Sequence, residues 1–258
     1  LDVASFPDSI FLIMEYIEAN MKAMIDDLHR PVSDIIVRYY VRQLFCGVSY
    51  LHSINIMHRD IKPENIMISN TGILKLIDFG QSCLYCPNNE HIGYEHQVAS
   101  RWYRAPELLF GSCKYTPKVD TWACGCVLAE LLNGSPLFPG RSDLEQIGLI
   151  MNVLGTPSID SWNDLHTLPD SGKIHFESVP PVNCWFKVVP FASTECLLLL
   201  RHLIVYCPEE RMSADDALAH DFFTSKSPEK PPYIPSNIKH SATIHDVDDI
   251  LNFFKNTP

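Results

Sequence analysis

The sequence predicts an α+β fold that is mainly helical, with a few short strands near its start. Three observations point that way. Ile36, Tyr40, Leu44, Val48 and Leu51 recur every three or four residues, the spacing of one face of a long helix. Trp122–Leu132 is apolar nearly all round, which suits a helix lying inside a core. The strand-like runs are short and fall before residue 80.

The elements follow in order. Phe11–Tyr16, FLIMEY, is a short apolar run that predicts a buried strand. Asn20–Leu28 reads as a short helix, and Ser33 as the cap of the long helix bearing the Ile36–Leu51 stripe. Ile66–Ile68 and Ile73–Ile77 flank Asn70-Thr71-Gly72, which predicts a small hairpin. Asp120 is placed to cap the apolar helix and Asn133-Gly134 to end it. Further helices are expected over Leu144–Leu154, Glu195–Val205 and Ser213–His220, separated by Pro-rich loops such as Val179–Pro190. From Ser225 to Ser236 the chain turns rich in Pro and Lys, as a tail does. Beyond it Asp246–Phe254 could present Ile250, Leu251, Phe253 and Phe254 on one side of a small amphipathic helix.

Bulk properties narrow the function classes. The 258 residues suffice for one large domain or two small ones, and 46% hydrophobic with 20% charged residues is an ordinary globular balance. A formal net charge of −11 argues against nucleic acid or an anionic membrane surface as the main partner, and would suit a basic peptide. The nine cysteines are odd in number and mostly sit in apolar runs, so no disulfide framework is expected and a reducing compartment is. Apolar stretches such as Cys196–Leu200 are far too short to span a bilayer, which excludes membrane insertion by such a stretch. The chain begins at Leu1 rather than Met and shows no signal peptide, so a fragment of a longer protein is expected.

The sharpest chemical signal is His58–Asn65, HRDIKPEN, followed thirteen residues later by Asp78-Phe79-Gly80. Phosphoryl transfer explains these residue types. The moving group carries dense negative charge that metal ions must neutralise. Such ions want oxygen ligands, here the Asp78 carboxylate and the Asn65 amide. Asp60 suits the task of orienting an acceptor hydroxyl and taking its proton, and Lys62 puts a cation near the phosphoryl oxygens. Polar residues collect in loops by chance, but H-R-D, K-P-x-N and D-F-G in this order fix too many positions for that.

These motifs resemble the catalytic lobe of a eukaryotic protein kinase, and the resemblance implies a protein-kinase-like fold. Ala105-Pro106-Glu107 matches the end of the family's activation segment, Asp120 the helix-start Asp that braces the catalytic loop, and Arg211 the Arg that pairs with Glu107. Trp102–Glu107, Ser135–Gly140 and Leu154–Pro157 resemble the cyclin-dependent-like group, and Tyr94–Leu109 with Glu130–Gly140 are most similar to its cell cycle-related kinase branch. The resemblance implies a Ser/Thr kinase using ATP and Mg2+, acting on protein Ser/Thr-Pro, with Arg104 shaping the pocket behind the Pro preference. Ser100 matches a Thr that bridges the catalytic Asp and Lys, so it should hydrogen-bond Asp60 and Lys62. Glu15 and Ile17 match hinge positions that bind adenine through backbone groups, Met14 the gatekeeper and Met67 the pocket floor. Both methionines could instead be core filler. The segment after Pro139 resembles the group's helical insert, a docking surface, and a cyclin or other activator is implied as a partner. Cilium assembly or cell-cycle control, in cytoplasm, nucleus or cilium, is implied by the branch alone.

The resemblance divides the chain into the end of a small lobe with its hinge (1–19), the large lobe (20–224) and a tail (225–258). It also expects a Gly-rich loop, a strand Lys and a helix Glu ahead of the hinge, roughly sixty to eighty further residues. Without them this chain should bind ATP poorly. It is then either part of an active kinase, which the intact HRD and DFG sets favour, or an inactive kinase-like binding module.

The activation segment departs from the pattern. The residue between Tyr94 and His96 is usually a Thr whose phosphate gathers Arg side chains. Here it is Glu95, and Cys83 replaces one of the family's Arg partners. A carboxylate carries less charge than a phosphate, so Glu95 paired with Arg59 would hold the loop without an activating kinase; the alternative is a solvated Glu95. Cys83, Cys86, His91 and His96 have zinc-knuckle spacing, weighed against an ordinary variable loop and a redox-sensitive Cys83–Cys86 pair.

Overall fold

The computed structural model describes residues 2–6, 9–29, 33–88, 93–173, 176–224, 231 and 233–235, with side chains from Leu12 onward. The chain opens on an antiparallel hairpin of β1 (Asp2–Phe6) and β2 (Ser9–Ile13), Asp2 opposite Ile13 and Phe6 opposite Ser9. The strand expected over Phe11–Tyr16 therefore starts earlier and ends at Ile13. Its described end is not buried, for Leu12 is 66% exposed. An apolar run is covered only where another layer meets it. Among the described residues β2 pairs with β1 alone, and Leu12 and Ile13 lie outside the apolar core.

β3 (Ala19–Asn20) runs straight into α1 (Met21–Asp26), shorter than the expected Asn20–Leu28. The Asn20 side chain accepts the Ala23 N–H at 2.9 Å, a capping bond that starts the helix. α2 (Asp34–Ser53) is the long helix. Its stripe from Ile36 to Leu51 is buried throughout, but Ser33 stands at the cap position without a side-chain capping bond. Four short strands follow: β4 (Ile56–Met57), β5 (Ile66–Ile68), β6 (Leu74–Leu76) and β7 (Cys83–Leu84). β5 and β6 form the expected hairpin, Ile66 opposite Leu76, and β3 adds to it through Asn20 opposite Met67. β4 pairs with β7 and so closes the ends of the segment carrying both chemical motifs.

The rest is helical: α3 (Pro106–Leu109), α4 (Lys118–Asn133), α5 (Asp143–Leu154), α6 (Thr194–Leu203), α7 (Ala214–Ala219) and α8 (Asp221–Thr224). Every residue of α4 from Val119 to Leu132 is buried, as its all-round apolar sequence requires. α2 packs against α4 and α7, and α4 against α6. Gly125 permits that last approach, since a Cβ there would stand 3.0 Å from the Leu203 Cβ. Gly134 ends α4 at φ +72°, a left-handed conformation that favours glycine. Asp120 does not cap α4. Pro117 holds that position, and Asp120 is the third helical residue with its carboxylate turned toward the loop after β4. Ser142, Ser193 and Ser213 do cap α5, α6 and α7, accepting N–H groups of Glu145, Cys196 and Asp216.

Part of the expected tail lies on the domain. The buried Tyr40 hydroxyl donates to the Tyr233 carbonyl, and the Tyr233 hydroxyl donates to Asp27. The helix expected over Asp246–Phe254 lies outside the described residues. All nine cysteines are free, with Cys124, Cys126, Cys196 and Cys207 buried. Among the described residues no helix is long and apolar enough to cross a membrane.

Candidate active site

The loop between β4 and β5 holds the HRDIKPEN residues, and α4 anchors it. The Asp120 carboxylate accepts the His58 N–H at 2.9 Å, the Arg59 N–H at 2.8 Å and a bond with His52 Nε2 at 2.9 Å. Arg59 adopts φ +64°, an uncommon conformation for a residue with a side chain, so the turn needs that brace. His58 is fully buried, and its Nε2 lies 3.0 Å from the Ile77 carbonyl. The Ile77 N–H donates to the Asn65 carbonyl at 3.0 Å. These two bonds fix the segment of Asp78 beside the loop of Asp60.

Donors converge on Asp60, which is 6% exposed. Lys62 Nζ reaches its Oδ2 at 2.7 Å, and the Ser100 N–H and hydroxyl both reach Oδ1 at 2.9 Å. Asn65 Nδ2 donates to Oδ2 at 3.1 Å and to the Asp60 carbonyl at 2.9 Å. Lys62 also reaches the Ser100 hydroxyl at 3.0 Å. Burial alone would raise the Asp60 pKa, but the bonds from Lys62 and Ser100 outweigh it and hold the carboxyl below its ordinary value.

Asn65 spends its N–H groups on Asp60, which leaves its amide oxygen for a cation. Asp78 adopts φ +62°, is exposed, and among the described residues takes only the Gly80 N–H, at 3.3 Å. Two hard oxygen donors of this kind fit Mg2+, which uses one or two protein ligands and completes its shell with phosphate and water. Among the described residues no group of three or more His, Cys, Asp or Glu could hold a metal on its own. The zinc reading is not supported: Cys83 and Cys86 form no such group with His96, and His91 lies outside the described residues. Burial pushes the Cys83 thiol up, with Arg59 only partly opposing, which disfavours a reactive thiolate there.

At the positions expected to receive adenine, Met14 is 61% exposed and Ile17 half-buried. Ile66 and Ile68 are buried in the core while Met67 between them is only half-buried, and neither Met14 nor Met67 belongs to the buried core. Glu15 pairs with Lys75 Nζ at 2.5 Å, and Lys75 stands opposite Met67 in the sheet, which brings Glu15 and Met67 to one neighbourhood.

The expected Glu95–Arg59 pair does not form. The Arg59 guanidinium donates to the Gln81 carbonyl at 2.5 Å and to the Tyr115 hydroxyl at 2.8 Å. Tyr115 in turn donates to the Glu95 carbonyl at 2.5 Å, while the Glu95 side chain is exposed and has no ion pair among the described residues. Arg59, largely buried, thus spends its Nε and Nη1 donors on neutral acceptors rather than on the Glu95 carboxylate. No local pattern could have indicated Tyr115, twenty residues after Glu95.

The segment before α3 is tied down in the same way. Arg104, 8% exposed, donates from Nε to the Val98 carbonyl at 2.8 Å and from Nη2 to the Ala99 carbonyl at 2.9 Å. Ala99 adopts φ +63°. The Tyr103 hydroxyl donates to Glu130 of α4 at 2.6 Å. Burial raises the Glu130 pKa, with the Tyr103 bond opposing it. Lys62, Asn65, Ser100 and Arg101–Tyr103 line an open groove of about 690 Å³ beside Asp60. Behind it Arg211 and Glu107 form a doubly hydrogen-bonded ion pair at 2.7 and 2.8 Å, 0% and 2% exposed. Sequence reasoning missed the parts played by Tyr115, Glu130 and Asp143, all set by contacts between distant segments.

The family model described as "Protein kinase domain" matches residues 1–223. A relative from Pongo abelii named cyclin-dependent kinase 20 is 43% identical over 235 residues, 90% of this chain and 67% of the relative. Its human counterpart is 42% identical over 225 residues, 87% of this chain and 64% of that one. Cyclin-dependent kinase D-1 of Oryza sativa subsp. indica is 38% identical over 236 residues, 91% of this chain and 54% of that one. The chain therefore spans about two thirds or less of the length of these relatives. Among solved structures, a chain of the yeast RNA Pol II CTD kinase CTDK-1 complex superposes with a TM-score of 0.82 at 34% identity, covering 90% of this chain and 77% of its own. A chain of the CAK complex of Chaetomium thermophilum bound to ATP-gamma-S gives 0.83 at 31% identity, covering 90% and 73%.

Proposed function

The chain belongs to the protein kinase family, in its cyclin-dependent-kinase-like group, and from that premise we propose that it transfers the γ-phosphoryl group of ATP to protein Ser or Thr residues followed by Pro. The observation that carries the proposal is the convergence of Lys62, Ser100 and Asn65 on the Asp60 carboxylate. That network keeps Asp60 ionised and aimed, so it can orient an acceptor hydroxyl in the groove and receive its proton. Lys62, already within 3 Å of Asp60, is placed to meet the phosphoryl oxygens. Mg2+ would be held by the Asn65 amide oxygen and the Asp78 carboxylate, and when bound it neutralises the phosphate charge. The backbone of Glu15 and Ile17, with Met14 and Met67, would receive the adenine.

The Pro preference follows from Ala99. Its carbonyl is taken by Arg104, so it is not available to accept a peptide N–H from the residue after the acceptor Ser or Thr. A residue with an N–H would leave that donor unpaired, whereas Pro has none. The name of the relatives puts a cyclin first among candidate activators. No observation favours the non-catalytic binding module over the enzyme.

The test uses the full-length protein with peptides that differ only in Ser-Pro or Ser-Ala. Asp60→Asn is expected to lower kcat by about 10²–10⁴. An Asp60→Asn enzyme with wild-type kcat would overturn the assignment of Asp60, and equal kcat/KM on the two peptides would overturn the Pro preference.

A further inference from the structure

Besides the Val98 and Ala99 carbonyls, Arg104 has a third tether. Its Nη1 donates to both carboxylate oxygens of Asp143, at 3.1 and 3.3 Å. Among the described residues Asp143 is the only carboxylate in ion-pair contact with Arg104. It is shared with Arg101, whose Nε reaches it at 2.8 Å. Burial disfavours the Arg104 charge, and Asp143 is the group that offsets this.

The surroundings make Asp143 a fixed point. Ser142 caps α5 just before it. The Arg141 carbonyl accepts Arg101 Nη1 at 3.2 Å, and the Gly140 carbonyl accepts Trp102 Nε1 at 3.1 Å. Gln146 closes the seam from the other side, accepting the Gly140 N–H at 3.0 Å and donating to the Trp102 carbonyl at 3.3 Å. The start of α5 is therefore stitched to Arg101–Arg104 along its length.

We infer that Asp143 is a positioning residue for Pro selection, acting through Arg104. This rests on the proposed Pro-directed kinase activity. The guanidinium has three jobs on three sides: the Val98 carbonyl, the Ala99 carbonyl and Asp143. Without the carboxylate, a largely buried cation loses its counter-charge and turns toward other acceptors or water. The Ala99 carbonyl is then released, its peptide can leave φ +63°, and an acceptor becomes available to an N–H after the phosphorylated residue. Selectivity falls because the wrong peptide gains a hydrogen bond, not because chemistry slows. An acidic residue in the first turn of a helix also stabilises that helix by itself. The experiment must separate these two roles.

The measurement is the ratio of kcat/KM on a Ser-Pro peptide to that on the matched Ser-Ala peptide, for full-length wild type, Asp143→Asn and Asp143→Glu. Asp143→Asn is expected to shrink the ratio up to about ten-fold, the scale of one neutral backbone hydrogen bond, with most of the change from faster turnover of Ser-Ala. Asp143→Glu, which restores the charge, should recover most of the ratio. A purely structural Asp143 would lower the melting temperature of Asp143→Asn and leave the ratio within about two-fold of wild type; that result overturns the inference. A wild-type ratio near one would overturn the Pro-directed reading itself, an outcome distinct from the first.

Discussion

Replacing Asp120 tests whether α4 holds the catalytic loop. Asp120→Ala removes the acceptor of two buried backbone N–H groups, those of His58 and Arg59, held at 2.9 and 2.8 Å. Each buried donor left unpaired costs about 1–3 kcal/mol, so the variant should lose about 2–6 kcal/mol of stability. Asp120→Asn keeps one acceptor oxygen but turns an NH2 toward the other N–H, and should lose about half as much. Chemical denaturation of the full-length protein gives the loss as a shift in midpoint at unchanged slope. The rate should suffer too, because Asp60 follows directly on Arg59, and a displacement near 1 Å can cost about 10²-fold. Both variants staying within about 0.5 kcal/mol of wild type, with kcat within two-fold, would refute the bracing role.

Other outcomes follow from the same contacts. Arg211→Met leaves Glu107 buried without its partner and should destabilise by about 3–5 kcal/mol, while pairing it with Glu107→Leu should recover part of that loss; thermal unfolding of both variants decides. Glu95→Ala should leave activity within about two-fold, since the Glu95 carboxylate has no ion pair among the described residues, whereas Tyr115→Phe should lower activity and cost about 1 kcal/mol by removing the acceptor for Arg59. The folded pKa of Asp60 lies below its unfolded one, so the unfolded chain binds more protons in acid. Its contribution to stability is full above about pH 4 and fades as pH falls through the folded value. The stability gap between wild type and Asp60→Asn, followed by denaturation at decreasing pH, should close in that window.

Much of the site was legible because its chemistry is written in contiguous residues. Asp60, Lys62 and Asn65 lie within six positions, and one loop presents them together. The apolar stripe of α2 and the all-round apolarity of α4 fixed the two helices that frame that loop. What was not legible depends on contacts across the fold. Asp120 looked like a cap because capping residues precede apolar helices, but Pro117 took that place and freed the carboxylate for the loop. Glu95 looked like the partner of Arg59 because opposite charges were known and neutral acceptors were not; Gln81 and Tyr115 took the Arg59 Nε and Nη1 donors first. The apolar run Phe11–Tyr16 predicted a buried strand, but burial depends on what lies opposite it, and Leu12 to Met14 are exposed.

α4 also sets a length. Asp120 near one end grips the catalytic loop, and Glu130 ten residues on grips Tyr103 of the segment before α3. At 1.5 Å per residue the two grips are about 15 Å apart along a rigid axis. The spacing between the loop that carries Asp60 and the segment that carries Tyr103 is thus gauged by a helix, whose rise does not vary, and not by the loops between them. Loops around the groove can change length without altering that gauge. A single residue deleted between Val127 and Ala129 would shorten it by only about 1.5 Å but turn Glu130 about 100° away from Tyr103 relative to Asp120.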